Sequence, residues 1–184
     1  MQETTQLPSW SGKRYHSLNH HLRQRFGQKV FKISLDAGFS CPNRDGSKST
    51  GGCAFCSLRG SGDFAGDRHK NIEEQFEQVK RMMHRKWVQG KYIAYYQAFT
   101  NTYALPQQLE SLYNLALEQP GVVGLAIATR PDCLPLPVIE LLAEINRKTY
   151  LWVELGLQTS HDRTARAMNM HYCFADFQKA LTEL

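Results

Sequence analysis

Three of the five cysteines occupy one glycine-rich segment, where Cys41, Cys53 and Cys56 form the pattern C-x11-C-x2-C. Thiolates are ligands for zinc and for iron–sulfur clusters, and a structural zinc site needs four ligands. A 4Fe–4S cluster bound by three thiolates keeps one iron without a protein ligand, so a small molecule can chelate it. The spacing leaves both metals open, and zinc would recruit His69 or His21 as its fourth ligand.

Two other cysteines and one glycine motif indicate less chemistry. Cys133 and Cys173 lie far from the first three in sequence, and we expect them to be ordinary cysteines. Residues 60–65 (GSGDFA) imitate a dinucleotide-binding fingerprint. They neither follow a strand directly nor lie inside a βαβ unit, so we reject that interpretation.

The segment that carries the three cysteines lies between elements that alternate strand and helix. Strands are predicted over residues 30–36, 92–99, 122–129 and 150–158. Helices are predicted over residues 15–26, 71–88, 105–119 and 137–148, with a further helical stretch from residue 161 that is broken near 171–174. This alternation indicates right-handed crossovers and a parallel sheet. The cysteine segment then lies at the carboxyl ends of the strands, where α/β proteins form their sites.

The chain length limits how many strand–helix units fit. A closed eightfold barrel takes about 250 residues, roughly 31 for each βα unit. The 184 residues leave room for about four units. We therefore predict an α/β fold of the partial TIM-like barrel type, open or truncated. Residues 1–29 would form a basic helical segment, and residues 30–184 the core, with the cysteine loop at 37–68. The apolar fourth strand would be a poor bare edge, which favours the front part of a longer barrel.

The charge distribution suggests a polyanionic partner. The chain has a formal net charge of +5, and no acidic residue occurs between Glu3 and Asp36. That stretch contains six cationic side chains: Lys13, Arg14, Arg23, Arg25, Lys29 and Lys32. It could contact RNA or form a solvated helix face.

The sequence contains neither a secretory signal nor an apolar run long enough to span a bilayer. We therefore expect a cytoplasmic protein without a membrane partner. In that compartment the cysteines are expected to bind a metal or a cluster rather than to form disulfides.

Several ordered motifs resemble one enzyme family. Residues 41–46 (CPNRDG) and 51–56 (GGCAFC) resemble the cluster loop of radical S-adenosylmethionine enzymes. Within that family they are most similar to the YhcC/YtqA-like group, which is related to the catalytic subunit of elongator. Residues 95–102 (YYQAFTNT), 128–134 (ATRPDCL) and 154–159 (ELGLQT) are similar to further motifs of the group, and each ends a predicted strand.

The resemblance implies that Cys41, Cys53 and Cys56 hold a 4Fe–4S cluster whose fourth iron is chelated by S-adenosylmethionine. One electron from a donor protein would cleave the sulfonium bond, giving methionine and a 5′-deoxyadenosyl radical that removes a hydrogen atom from a substrate. The cofactors carry this chemistry, and the protein positions them. The elongator relationship and the basic segment point to tRNA as the substrate. The alternative is a zinc-stabilised nucleic-acid-binding module without catalysis.

The resemblance further implies eight cofactor-binding positions on the rim that carries the cysteines: Phe55, Thr100, Asn101, Thr102, Thr129, Arg130, Glu154 and Gln158. Phe55 would lie near the adenine and Gln158 near the ribose. Residues 100–102 would meet the methionine amino group.

Two positions have other interpretations. Arg130 would face a carboxylate of the cofactor, or would pair with Asp132 or Glu154 in a structural role. Glu154 lies in an apolar strand and needs a partner if it is buried. The sequence departs from the family at Met170, where an arginine that can contact the methionine carboxylate is usual.

Overall fold

A computed structural model describes residues 10–184 and contains one sheet of four parallel strands. The strands are β1 (Val30–Leu35), β2 (Lys91–Tyr96), β3 (Val122–Thr129) and β4 (Tyr150–Leu155). They are ordered β1-β2-β3-β4 across the sheet, so each strand pairs with its neighbours in sequence. The predicted parallel α/β architecture is confirmed. Residues 1–9 of the predicted N-terminal segment lie outside the described residues.

One helix precedes the first strand, further helices separate the strands, and two follow the last one. They are α1 (Leu18–Phe26), α2 (Ile72–His84), α3 (Pro106–Leu117), α4 (Leu136–Lys148), α5 (Asp162–Ala167) and α6 (Phe174–Glu183). A short 3-10 turn, Pro131–Cys133, follows β3. Within residues 10–184, none of the helices has both the length and the apolar composition that crossing a bilayer requires.

Several predicted boundaries are wrong by a few residues. The strands predicted to end at 99 and 158 end at Tyr96 and Leu155 instead. Phe99 and Gln158 have φ values of 62° and 60°, and this left-handed conformation is incompatible with an extended strand. Helix α1 begins three residues later than predicted, because the Ser17 side chain caps it by accepting from the backbone amide three residues on.

The main core lies between one face of the sheet and helices α2, α3 and α4. Phe76, Leu109 and Val138, one from each helix, are fully buried. They belong to one apolar cluster with Ile33 and Ile127 of the sheet. Burying each such side chain contributes about 1.5–3 kcal/mol, so this layer holds the strands in place.

The opposite face of the sheet carries both an apolar cluster and a charged pair. Leu22 of α1 packs there with Val30, Ile93 and Ala126. Lys32 lies in register with Ile93, and its ammonium pairs with Glu154 near the carboxyl end of β4. This pair adjoins the rim where the strands stop.

Close contact between β3 and β4 requires a glycine at position 124. A Cβ atom there would lie 2.2 Å from the backbone oxygen of Tyr150 on the paired strand. We expect Gly124→Ala to lower the free energy of unfolding by about 1–3 kcal/mol, as overpacking does, in urea denaturation. Gly156→Ala is the matched control, because its nearest neighbour is the flexible Gln158 amide at 3.1 Å. Equal losses in the two variants would contradict this account.

Candidate functional site

One cavity of about 330 Å³ lies at the carboxyl ends of all four strands. The loop between β1 and α2 contributes all three of its cysteines to the lining. The segments after β2, β3 and β4 contribute Thr100, Arg130 and Gln158. In parallel α/β folds this rim is where ligand sites form, so the cavity is the candidate functional site.

Six of the eight positions expected to bind the cofactor line this cavity together with the cysteines: Phe55, Thr100, Thr129, Arg130, Glu154 and Gln158. Asn101 and Thr102 do not line it. The Asn101 amide donates to the carbonyls of Tyr96 and Ala128, at 3.0 and 2.9 Å. The Thr102 hydroxyl bonds to the Thr129 hydroxyl, 2.5 Å away. These two side chains therefore join the ends of β2 and β3.

The thiols of Cys53 and Cys56 are close enough to interact directly. A hydrogen bond from Cys56 is the largest of the effects that lower the pKa of Cys53 to about 6, and it outweighs burial. The Asn43 amide donates to the same sulfur at 3.3 Å, and the positive charges of Arg130 and Arg44 act in the same direction. The shared hydrogen bond and burial raise the pKa of Cys56. The site thus favours a thiolate at Cys53.

Arg130 pairs with Asp132 rather than with Glu154. Its Nε and Nη2 atoms donate to the two carboxylate oxygens of Asp132 at 2.9 and 2.8 Å. Nη2 also donates to the carbonyl of Met170 at 2.9 Å, and Nη1 lies 3.9 Å from the Cys41 sulfur. Most N–H donors of the guanidinium are therefore occupied by protein acceptors. Its Nη1 atom faces the Cys41 sulfur.

Glu154 has two partners on the face of the sheet that α1 packs against. Its Oε1 atom pairs with the Lys32 ammonium, and its Oε2 atom accepts from the Tyr95 hydroxyl. The ammonium lies 3.6 Å from the centre of the Tyr95 ring and 4.6 Å from that of Trp152. Burial and the neighbouring carboxylate raise the pKa of Tyr95. Glu154 thus has the partner that a carboxylate in an apolar strand requires.

The lining contains a polar atom that lacks a protein partner. Thr100 is buried, and its hydroxyl has no hydrogen-bond partner among residues 10–184. A buried hydroxyl without a partner is unfavourable, and a polar ligand in the cavity could satisfy it. Together with three thiols, this unsatisfied group fits a site for an inorganic cluster and a polar small molecule.

The described part of the chain contains no site for a single metal ion. Within residues 10–184, no three His, Cys, Asp or Glu side chains are arranged to hold a single metal ion. Thiolates on a cubane cluster bind separate irons, so they surround the cluster instead of meeting at one point. His21 lies 3.3 Å from the hydroxyl of Tyr150, the first residue of β4, at the end of the strand remote from the cavity. His69 does not line the cavity either. Neither histidine is placed as the fourth zinc ligand that we considered.

The sequence did not indicate two side chains that organise the cavity. Asn43 is fully buried, and its amide donates to the carbonyls of Asn169 and Met170 as well as to Cys53. The Tyr172 ring lies 4.8 Å from the Arg130 guanidinium. Asn43 could have been considered because it lies two residues after a cysteine. No local pattern singles out a tyrosine whose partners are remote in sequence.

The remaining cysteines lie outside the cavity. Cys133 is buried, and desolvation with the nearby Asp132 carboxylate raises its pKa to about 12. Cys173 precedes α6, where its backbone amide donates to Asp176 at 2.7 Å. Both positions are therefore suitable controls for the three cysteines of the loop.

No protein-family model matches the chain. It is 56% identical over 172 residues to the uncharacterized protein YtqA of Bacillus subtilis, an alignment that covers 94% of this chain and 53% of YtqA. It is 45% identical over 159 residues to the protein YhcC of Escherichia coli, with 86% and 50% covered. The chain thus spans about half the length of the curated relatives it matches. Neither name states an activity.

Proposed function

We propose that the chain belongs to the radical S-adenosylmethionine enzymes and binds a 4Fe–4S cluster through Cys41, Cys53 and Cys56. The observation that carries this proposal is the shared cavity. Three thiols spaced C-x11-C-x2-C line it together with polar side chains from the carboxyl ends of all four parallel strands. A single-metal module would not require this convergence of four strand ends.

The cluster supplies, when bound, the electron that cleaves S-adenosylmethionine to a radical able to abstract hydrogen. The protein contributes the thiolates and the field around them. The hydrogen bonds and positive charges around Cys53 lower the pKa of its thiol and so favour the thiolate there. Asn43 donates to its sulfur, and Arg130 places positive charge near Cys41. These contacts stabilise negative charge on the ligands.

The other lining residues divide between ligand contact and support. Thr100 has a hydroxyl available for a polar group of the ligand. Phe55 is about half exposed and presents a ring that an adenine can stack on. Arg130 is a positioning residue, because Asp132 and the Met170 carbonyl already occupy most of its donors.

RNA is the proposed substrate class. Arg23 and Arg25 are exposed on α1, and no acidic residue occurs between residues 10 and 35. A cationic helix of this kind attracts phosphates in a salt-dependent manner. α1 packs on the face of the sheet that carries Lys32 and Glu154. The same face extends to the cavity rim. This face is the one on which we place the substrate.

Anaerobic reconstitution with iron and sulfide tests the proposal. We expect a brown protein that releases 5′-deoxyadenosine when S-adenosylmethionine and dithionite are added, measured by liquid chromatography and mass spectrometry. A colourless protein that retains zinc would overturn the proposal. A cluster-loaded protein that leaves S-adenosylmethionine intact would overturn the catalytic part and leave a cluster-binding protein.

A further inference from the structure

The Arg44 side chain contacts both ends of the short segment that carries Cys53 and Cys56. A Cβ atom on Gly52, the residue before Cys53, would lie 2.8 Å from the Nε and Nη2 atoms of Arg44, so the guanidinium packs directly on that backbone. The same group donates to the carbonyl of Ser57, the residue after Cys56. Arg44 also lines the cavity together with all three cysteines of the loop. Its charge therefore lies beside the proposed cluster ligands.

The ring of Phe99 supports the guanidinium from another side. The centre of this ring lies 5.6 Å from the Arg44 guanidinium, within the range of a cation–π interaction. Phe99 follows β2 and lines the same cavity. An aromatic ring, a carbonyl group and a glycine backbone thus hold the charged group in one place at the cavity.

No carboxylate opposes the charge of Arg44. Within the part of the chain that the structure describes, Arg44 takes part in no ion pair. The other arginine of the lining, Arg130, donates to both carboxylate oxygens of Asp132, at 2.9 and 2.8 Å. The carboxylate of Glu154 in the lining already has a lysine partner. Arg44 is therefore the lining cation that these contacts leave without an opposing carboxylate.

The charge of Arg44 acts on two thiols of the loop. The hydrogen bond with Cys53 and burial raise the pKa of Cys56, and the charge of Arg44 acts against this rise. Arg44 also adds to the effects, led by the hydrogen bond from Cys56, that lower the pKa of Cys53. Thiolates in one cavity repel each other, so a fixed cation beside them makes it easier to collect their negative charges.

We propose that Arg44 is a positioning residue whose charge stabilises the thiolates that bind the cluster and raises the reduction potential of that cluster. This inference rests on the proposed function. The cluster gains one electron from a reductant, which loses one, and no bond forms or breaks. Reduction thus adds one negative charge to the cluster. A nearby positive charge stabilises the reduced form more than the oxidised form, so the potential rises.

The first test needs no cluster, because it measures the charge around the thiols of the reduced, metal-free chain. Iodoacetate is an anion and iodoacetamide is neutral, but both alkylate the thiolate. The ratio of their two rates therefore reports the local charge and does not depend on the fraction of thiolate. We expect Arg44→Met to lower this ratio roughly fivefold at Cys53 and Cys56, measured by mass spectrometry of the peptides. Arg44→Lys keeps the charge and should keep the ratio near that of the wild type.

Arg68→Met is the matched control for this measurement. The Arg68 guanidinium lies 5.3 Å from the centre of the same Phe99 ring, but Arg68 does not line the cavity. The ratio of the two rates should not change in this variant. An unchanged ratio in Arg44→Met would overturn the proposal. An equal fall in Arg44→Lys would also overturn it, because packing rather than charge would then be responsible.

The second test measures the reduction potential of the reconstituted chain in an anaerobic titration with dithionite, followed by electron paramagnetic resonance. Arg44→Met should lower the midpoint potential, Arg44→Lys should restore it, and Arg68→Met should leave it unchanged. A midpoint that does not move in Arg44→Met would overturn the effect on the potential while leaving the proposed function intact. If the wild-type chain assembles no cluster, the proposed function fails, and the alkylation ratio still decides whether Arg44 supplies charge to the thiols.

Discussion

Replacing Cys53 with alanine is expected to reduce iron incorporation to background. The Asn43 amide donates to this sulfur at 3.3 Å, and the interaction with Cys56 lowers the pKa of Cys53. Its removal leaves two thiolates, which do not complete the ligand set proposed for the cluster. Iron and sulfide content after anaerobic reconstitution, with the visible absorption spectrum, measures the effect. Cys41→Ala and Cys56→Ala should behave in the same way.

Cys133→Ala is the matched control for these variants. Cys133 is buried like Cys53 but lies outside the cavity, so it should not change the iron content. Full iron loading in Cys53→Ala would contradict the proposed ligand set. A comparable loss of iron in Cys133→Ala would indicate that iron content depends on overall folding rather than on the three cysteines of the loop.

Replacing Asp132 with alanine is expected to destabilise the fold by about 3–5 kcal/mol, the cost of leaving a buried charge without its partner. The side chains of Arg130 and Asp132 are 9% and 6% exposed. Without the carboxylate, Arg130 would keep the Met170 carbonyl as its acceptor. Urea denaturation at neutral pH measures the loss. Lys48→Met is the control. Lys48 also pairs with Asp132 but is 40% exposed, so at most about 1 kcal/mol is expected.

The loss caused by Asp132→Ala should depend on pH. Burial alone would raise the pKa of Asp132, but the hydrogen bonds from Arg130 and Lys48 outweigh it and hold the pKa below its usual range. A carboxyl group with a lowered folded pKa stabilises the protein above its unfolded pKa of about 3.9, and this stabilisation disappears as pH falls through the folded pKa. The difference between wild type and variant should therefore be constant between about pH 7 and 5 and shrink below about pH 4. A difference that grows on acidification would contradict the assigned ion pair.

The sequence predicted the four strands and their parallel arrangement, because hydrophobic patterning and turn residues are local signals. It also predicted that segments after the strands would meet, since carboxyl ends of parallel strands share one edge. The left-handed backbone at Phe99 and Gln158 was missed, because these residue types do not demand that conformation. The placement of Asn101 and Thr102 depends on which carbonyls of neighbouring strands need a donor, and only the folded chain settles this.

Contacts between side chains that are far apart in sequence were the hardest to predict. Glu154 was expected to need a partner, and Lys32 fills that role from 122 residues away. Both residues lie on the same face of the sheet, but β1 and β4 are its two edge strands, so only the folded chain shows that their side chains meet. Periodicity reports which residues share a face and leaves open which strands are adjacent.

The bracing of the cysteine loop has a consequence for the order of events in the cell. The Ala54 amide donates to the Met168 carbonyl at 3.0 Å, and the Asn169 amide donates to the Gly52 carbonyl at 2.8 Å. The thiols leave the ribosome more than a hundred residues before the segment that fixes their positions. A nascent chain therefore displays these thiols before the segment that fixes their positions has been made. Under the proposed function, the cluster would be inserted only after residues 168 and 169 have packed against the loop.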